Sequence, residues 1–286
     1  MTRVRRLLPV LGVVPFTLFV GIFLLWPTWI VVSGALTGDN GGFSLSALTT
    51  VLTASERRTA FLRSIELSAV TALAGAVFGA LVSWVIAGSA GRGTLRRVVL
   101  AAAGVFAQFG GVMLAFAFLA TFGFTGMATL GLAKLFGDGF WTDASWIYSL
   151  PGLCVVYTFF QIPLMVIVFT PAVDNLRAQW REASDTLGGT AGEFWRYVGL
   201  PVLAPSFLGS ALLLFANAFS AYATAAALIS QGSSLVPLQI RSALSGEVLL
   251  RQASLGKALA LGMIIVVAVV MAGYTLMQRR VARWSR

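Results

Sequence analysis

The chain has 286 residues, 58% of them hydrophobic and only 10% charged, with a net charge of +10. A soluble domain carries about 25% charged residues, so this composition excludes an ordinary globular protein and points to the lipid bilayer as the chain's solvent. With no His and a single Cys, Cys154, an internal disulfide or cysteine metal cluster is excluded, and the commonest metal ligand and neutral-pH proton carrier is missing.

Met1–Arg6 is short and basic. The apolar run from Leu7 to Val32 is longer than the 7–15 residue core of a secretory signal, so it reads as a retained first span, with Trp26 and Trp29 near an interface. Ser33–Leu62 reads as a polar external segment with a turn at Asp39-Asn40-Gly41-Gly42. Ile65–Ala87 is the expected second span, where Gly75 and Gly79 have the GxxxG spacing that lets helix backbones approach closely. After the basic loop Gly88–Arg97, Val98–Phe122 is the expected third span, interrupted by Gln108 and Gly110-Gly111. Gly123–Trp146 reads as an external loop with a short helix over Met127–Phe136. Ile147–Pro171 is the fourth span and carries Gln161 and Pro163, the proline expected to kink it. Val202–Ile229 is the fifth, with Asn217 near its middle. Ser230–Ser254 is external, Leu255–Met277 is the sixth span, and Gln278–Arg286 is a basic tail. About 20 apolar residues cross a bilayer as a helix, so the expectation is an all-α polytopic membrane protein of about six transmembrane helices.

This order of loops puts both termini on one side, together with thirteen of the twenty Lys and Arg residues. The richer side is expected to be cytoplasmic. The positive charge thus serves orientation in the membrane and calls for no nucleic acid.

The one long polar segment between strongly apolar runs is Asp174–Pro201. Asp174 reads as the N-cap of a helix that runs to Leu187, closed at Gly188-Gly189 because glycine takes the left-handed conformation that ends a helix. Thr190 and Glu193 have the spacing of a capping box. A second short helix would then carry Ala191, Phe194, Trp195 and Val198 on one face and end at Leu200-Pro201, since the proline ring disfavours helix in the residue before it. The expectation is a compact two-helix knob with its elbow at Gly188.

The residues Glu182, Ala183, Ser184, Gly188, Val198, Leu200 and Pro201 resemble the cytoplasmic EAA loop of the ABC importer permeases that depend on a binding protein. Ser184 stands where that family has a second Ala, and Val198 where it has Ile. The resemblance implies a type I importer permease fold, with residues 1–60 as an N-terminal span and external segment and 61–286 as a permease core containing the loop 174–201. It implies a multi-pass protein of the cell membrane with partners: two ATP-binding cassette subunits, a second permease subunit that is a copy or a paralogue, and an external solute-binding protein. ATP would be used by the partner subunits, and this chain would need no cofactor. The loop residues Arg181, Glu182, Ala183, Ser184, Gly188, Val198, Leu200 and Pro201 would couple it to the ATPase. Phe215–Ile229 followed by Pro237-Leu238-Gln239 looks like the branch that moves polyamines, iron, thiamine or similar small charged solutes.

The residues also argue by what they lack. There is no phosphate-cradling G-x-x-x-x-G-K-[ST], no Asp or Glu deep within a span of the kind a proton-coupled carrier uses, and no base to activate a Ser or Thr nucleophile. The chain is therefore read as a non-enzyme. The polar groups inside the spans are Gln108, Gln161 and Asn217, with Tyr157 and Tyr222 nearby. Either they line a translocation path or they hydrogen-bond one helix to another, each contributing about 0.5–2 kcal/mol. Two other classes remain open at this stage: a carrier or channel not coupled to ATP, and a non-transporting membrane scaffold. The first has no use for a two-helix docking knob, and co-purification of an ATPase subunit would discriminate against both.

Overall fold

The computed structural model describes residues 13–37, 42–88, 93–136, 144–229, 235–245 and 250–284. The basic N-terminus, the turn at Asp39–Gly41, Arg92 and Trp141 lie outside them. The described residues are nearly all helical, and their one extended pairing is an isolated antiparallel bridge between Thr37 and Phe43. In chain order the helices are α1 (Val13–Ala35), α2 (Ser46–Thr53), α3 (Ser55–Gly88), α4 (Thr94–Gln108), α5 (Gly111–Phe122), α6 (Met127–Phe136), α7 (Leu150–Asp174), α8 (Ala178–Thr186), α9 (Ala191–Phe194), α10 (Leu200–Ser220), α11 (Ala223–Leu228), α12 (Val236–Ser245) and α13 (Leu250–Trp284). Among the described residues, six stretches are long and apolar enough to cross a membrane: Val13–Ala35, Ser55–Gly88, Gly111–Leu135, Leu150–Asp174, Ala191–Ser220 and Ser254–Leu276.

The expected number of spans is found, but their bounds differ in three places. The expected third span breaks at Phe109-Gly110. Gly111 has φ +69°, a left-handed conformation that Gly adopts without steric cost, so α4 and α5 are separate helices. At 15 residues and about 1.5 Å per residue, α4 is too short to cross. The expected fifth span breaks at Ala221-Tyr222, between α10 and α11. The segments expected to be external are not merely polar loop. Residues 55–62 already belong to α3, and Val51, Ala60 and Val236 are buried with Ala35, Ala258 and Leu259 in one apolar cluster. Their apolar side chains, scattered among polar ones, become one face only once the helices form.

The chain forms two compact units, Met1–Phe61 with Ser233–Val266, and Leu62–Gly232 with Val267–Arg286. The first is organised by the apolar cluster just named. In the second, α3 lies against α7 along a row of small residues four apart. A Cβ built on Gly75 would fall 2.6 Å from the Gln161 Cβ, and one on Gly79 would overlap Met165 and stand 2.8 Å from the Ile162 carbonyl oxygen. Thr71 bonds Gln161 at 2.9 Å, and the Thr170 hydroxyl donates to Ser83 Oγ at 3.1 Å. The GxxxG spacing therefore marks a real close approach of backbones, and the hydroxyls on the same row bond across it. Further along the same contact, Val166 packs with Ile86 of α3 and Ala103 of α4. The helix α7 continues unbroken through Pro163 and Pro171.

Candidate functional site: the 174–201 loop and the broken helices

The polar loop is a helix–turn–helix whose two roots are both anchored. Asp174 is the last residue of α7, not the cap of the helix after it. Its carboxylate takes a bidentate pair from Arg96 of α4, at 2.9 and 2.5 Å. The expected N-cap role is thereby overturned: a charge-assisted fork from a guanidinium holds a carboxylate better than a neutral backbone amide does. The helix α8 starts at Ala178, and its N-cap Arg177 makes no side-chain cap bond. Gly188 closes it with φ +78°. The Gly188 N–H donates to Asp185 O at 3.0 Å and the Gly189 N–H to Ser184 O at 2.9 Å, the bonding of a glycine helix stop. A Cβ on Gly188 would meet open space, so glycine is needed there for its backbone conformation alone.

The expected capping box is formed. The Thr190 N–H donates to Glu193 Oε2 at 2.7 Å, and the Glu193 N–H donates to Thr190 Oγ1 at 3.3 Å. Arg181 ties the two arms together. It pairs with Asp185 at 3.2 Å, and its guanidinium lies 5.4 Å from the ring centre of Phe194, which is buried.

The second arm does not end at Leu200-Pro201. A π turn over Trp195–Gly199 carries it directly into α10, and Leu200 itself is helical at φ −63°, ψ −46°. Pro201 has no N–H, and its ring would strike the carbonyl four residues back in an ordinary helix. One wider turn, closed by the Leu200 N–H on Trp195 O, takes up the proline without a break. At this second root Trp195 stacks edge-on against Trp84 of α3 at 6.0 Å.

Glu182 and Ala183 stand exposed on α8, and Leu187, the residue after it, is 88% exposed. No described residue bonds or pairs with the Glu182 carboxylate. Ser184 and Val198 are half-buried, and Leu200 and Pro201 are exposed. The arrangement is a rigid knob with an unpaired carboxylate and a large apolar side chain facing outward. Sequence reasoning missed the Arg96 and Trp84 anchors, which are far from the loop in the chain and carry no local signal.

The polar residues of the spans divide into two sets. Gln161 is fully buried. Its amide, oriented so that both ends are satisfied, donates to Leu214 O at 3.0 Å and accepts from Thr71 at 2.9 Å. Tyr157 is 1% exposed, and its hydroxyl donates to the Ala221 carbonyl at 2.7 Å. Both hold helices together. Asn217 is exposed and lines a 390 Å³ hollow with Leu164, Leu213 and Ser220. Gln108 is exposed at the end of α4, and Tyr222 is half-buried in the break after α10.

The two breaks meet. The Thr224 hydroxyl of α11 donates to the Gly111 carbonyl at 3.2 Å, and Ala223 would lie 3.6 Å from a Cβ on Gly111. Non-helical backbone at membrane depth is tolerated only where protein buries it or it lines a water-filled cavity. Tyr157 and Thr224 supply part of that satisfaction. The Gly110-Gly111 pair was the visible signal for the first break. The second, in an Ala-rich run, had none.

No protein-family model matches the chain. It is 31% identical over 105 residues to the sulfate transport system permease protein CysT of Salmonella typhimurium, covering 34% of this chain and 38% of that one. It is 27% identical over 174 residues to the molybdenum transport system permease protein ModB of Mycobacterium bovis, covering 60% and 62%. The chain thus spans less than two thirds of the length of either relative. In three dimensions it is similar to a chain of a bacterial ABC transporter involved in the import of the acidic polysaccharide alginate, with TM-score 0.75 at 16% identity and 96% of both chains covered. A further match, at TM-score 0.77, is to the alginate transporter in complex with a periplasmic protein bound to an alginate pentasaccharide. The resemblance first carried by the 182–201 spacing is therefore matched in sequence by transport permeases and in fold by an ABC importer.

Proposed function

We propose that this chain is the membrane-spanning permease subunit of an ATP-driven, binding-protein-dependent importer. It does no covalent chemistry itself and uses no cofactor of its own. A second permease subunit completes the path, two ATP-binding cassette subunits supply ATP hydrolysis, and an external binding protein delivers the solute. The observation that carries this reading is the exposed knob on α8, held at one root by Arg96–Asp174 and at the other by Trp84–Trp195. A knob fixed to the ends of two spans passes a push from a docked partner into those spans, where a flexible loop would absorb it. ATP-driven closure of the partner then biases the spans between inward-open and outward-open states, which must lie close in energy for nucleotide to switch them. The named relatives transport sulfate and molybdenum and the structural neighbour an acidic polysaccharide, so we take the solute to be anionic.

The direct test of partnership is co-purification of an ATP-binding cassette subunit with the full chain from membranes. Topology is tested separately. In this reading the knob and both termini are cytoplasmic and the membrane is the inner or cytoplasmic one. In a Cys154→Ser background, a single cysteine replacing Phe43, which is 79% exposed, should react with an impermeant thiol reagent added to intact cells. One replacing Leu187 should react only after the membrane is opened. Labelling of position 187 from outside would overturn the topology.

The path is assigned to the exposed Asn217 and Gln108 and the half-buried Tyr222 around the two helix breaks, with Gln161 and Tyr157 holding their walls. A polar contact worth about 1 kcal/mol corresponds to about a fivefold change, so Asn217→Leu is expected to lower solute uptake about fivefold in complexes that assemble normally. Unchanged uptake with Asn217→Leu removes this hollow from the path.

A further inference from the structure

Beside the knob lies a groove of about 470 Å³ walled entirely by apolar residues of α3, α7 and the Trp195–α10 stretch. Its floor includes Phe169 and Leu203, both buried, while Leu81, Trp84 and Leu200 on its rim are 49–61% exposed. All three walls belong to stretches long and apolar enough to span a membrane, so the groove lies among segments suited to bilayer hydrocarbon. The groove is bounded at one end by the Trp84–Trp195 pair, and Trp is the residue of the interface between hydrocarbon and headgroups. The next residue, Arg196, is exposed and pairs with no described carboxylate. Glu193, one turn earlier, is engaged by Thr190, and the Arg196 guanidinium only lies over Tyr197 at 5.7 Å. At the loop's other root, Arg96 of α4 is already paired with Asp174. An apolar slot between spans that ends in an interfacial aromatic pair beside an exposed cation has the chemistry of a lipid site: hydrocarbon below, anionic headgroup above.

We propose that this groove holds an acyl chain of an anionic phospholipid, with its phosphate met by Arg196. The occupant touches both roots of the knob, Val173 just before Asp174 and Trp195 at the start of the π turn. It would therefore stiffen the loop's attachment to the spans. The inference requires only a membrane-spanning chain. It stands or falls apart from the importer reading.

The test is native mass spectrometry of the full purified chain in detergent, with phosphatidylglycerol or phosphatidylcholine added in turn. Wild type is expected to retain one phosphatidylglycerol about fivefold more strongly than phosphatidylcholine. Arg196→Gln should abolish that preference. Ala204→Trp fills the groove from its exposed wall and should remove retention of both lipids, and Leu81→Trp does the same from the opposite wall, so that one misfolded variant does not decide the matter. Equal retention of the two lipids by wild type, or undiminished phosphatidylglycerol on both Trp variants, overturns the proposal. So does a chain dimer that both Trp variants abolish, since the groove would then be a contact between copies of this chain.

Discussion

Gly188→Val is expected to uncouple the chain from ATP hydrolysis while leaving it inserted and folded. At φ +78° an L-residue costs about 1–2 kcal/mol, and a β-branched one more. The site is open, with nothing within 4 Å of a Cβ, so the strain cannot be blamed on crowding. It is relieved by turning α8 away from the capped second arm, which re-aims Glu182 and Leu187 and leaves the spans untouched. Reconstituted with its ATP-binding cassette partner, the variant should lose solute-stimulated ATP hydrolysis by about tenfold or more. Gly188→Asn should retain most of it, because Asn tolerates the left-handed region. Glu182→Ala separates partner contact from local structure. Glu182 is exposed and bonds to nothing described, so its loss costs the chain itself no more than about 0.5 kcal/mol. Across a desolvated interface, removing one member of a charge pair costs about 3–5 kcal/mol. If both Gly188→Val and Glu182→Ala keep wild-type stimulation, the knob is not the coupling element.

The largest expected loss of stability comes from Gly79→Leu on the α3–α7 contact. Overpacking a core with added methylenes costs about 1–3 kcal/mol, and here the obstacles are the Ile162 carbonyl and Met165 Cβ, main-chain or next to it, which cannot swing aside. Separating the two helices also breaks Thr71–Gln161 and Ser83–Thr170, so the buried Gln161 amide loses its partner on α3 at a further cost of about 1–3 kcal/mol. The purified variant should be aggregated on size exclusion or melt well below wild type in detergent. Gly104→Ala is the control. A Cβ there meets open space, and Ala is about 1 kcal/mol better than Gly within a helix, so its melting temperature should hold or rise. A wild-type melt for Gly79→Leu would show that the two helices are not packed through this row.

The parts of this protein legible in the sequence are those set by neighbours along the chain. Long apolar runs must be helices in lipid because each backbone polar group has to be satisfied within the segment, so the number of spans followed from length and hydropathy. The Gly188 elbow and the Thr190–Glu193 box were readable because each is closed by bonds over at most five residues. The GxxxG row was visible as spacing, though not its partner helix. What tertiary structure alone decided lies where a residue has more than one partner within chemical reach. Asp174 could cap the helix after it or pair with a cation. Arg96, 78 residues earlier in the chain, is brought alongside when α4 packs on α7, and the ionic fork wins. Pro201 could end a helix, but a helix already anchored by Trp84–Trp195 on one side and committed to a span on the other widens by one turn instead. The break at Ala221 is held by the Tyr157 hydroxyl and by Thr224 on Gly111, from helices that meet it only in the folded chain. Gln161 and Asn217 look alike as amides in apolar runs, yet one is sealed between α3, α7 and α10 and the other opens into a hollow. Which side of a helix faces a neighbour depends on how every helix packs, and that information is not local to either residue.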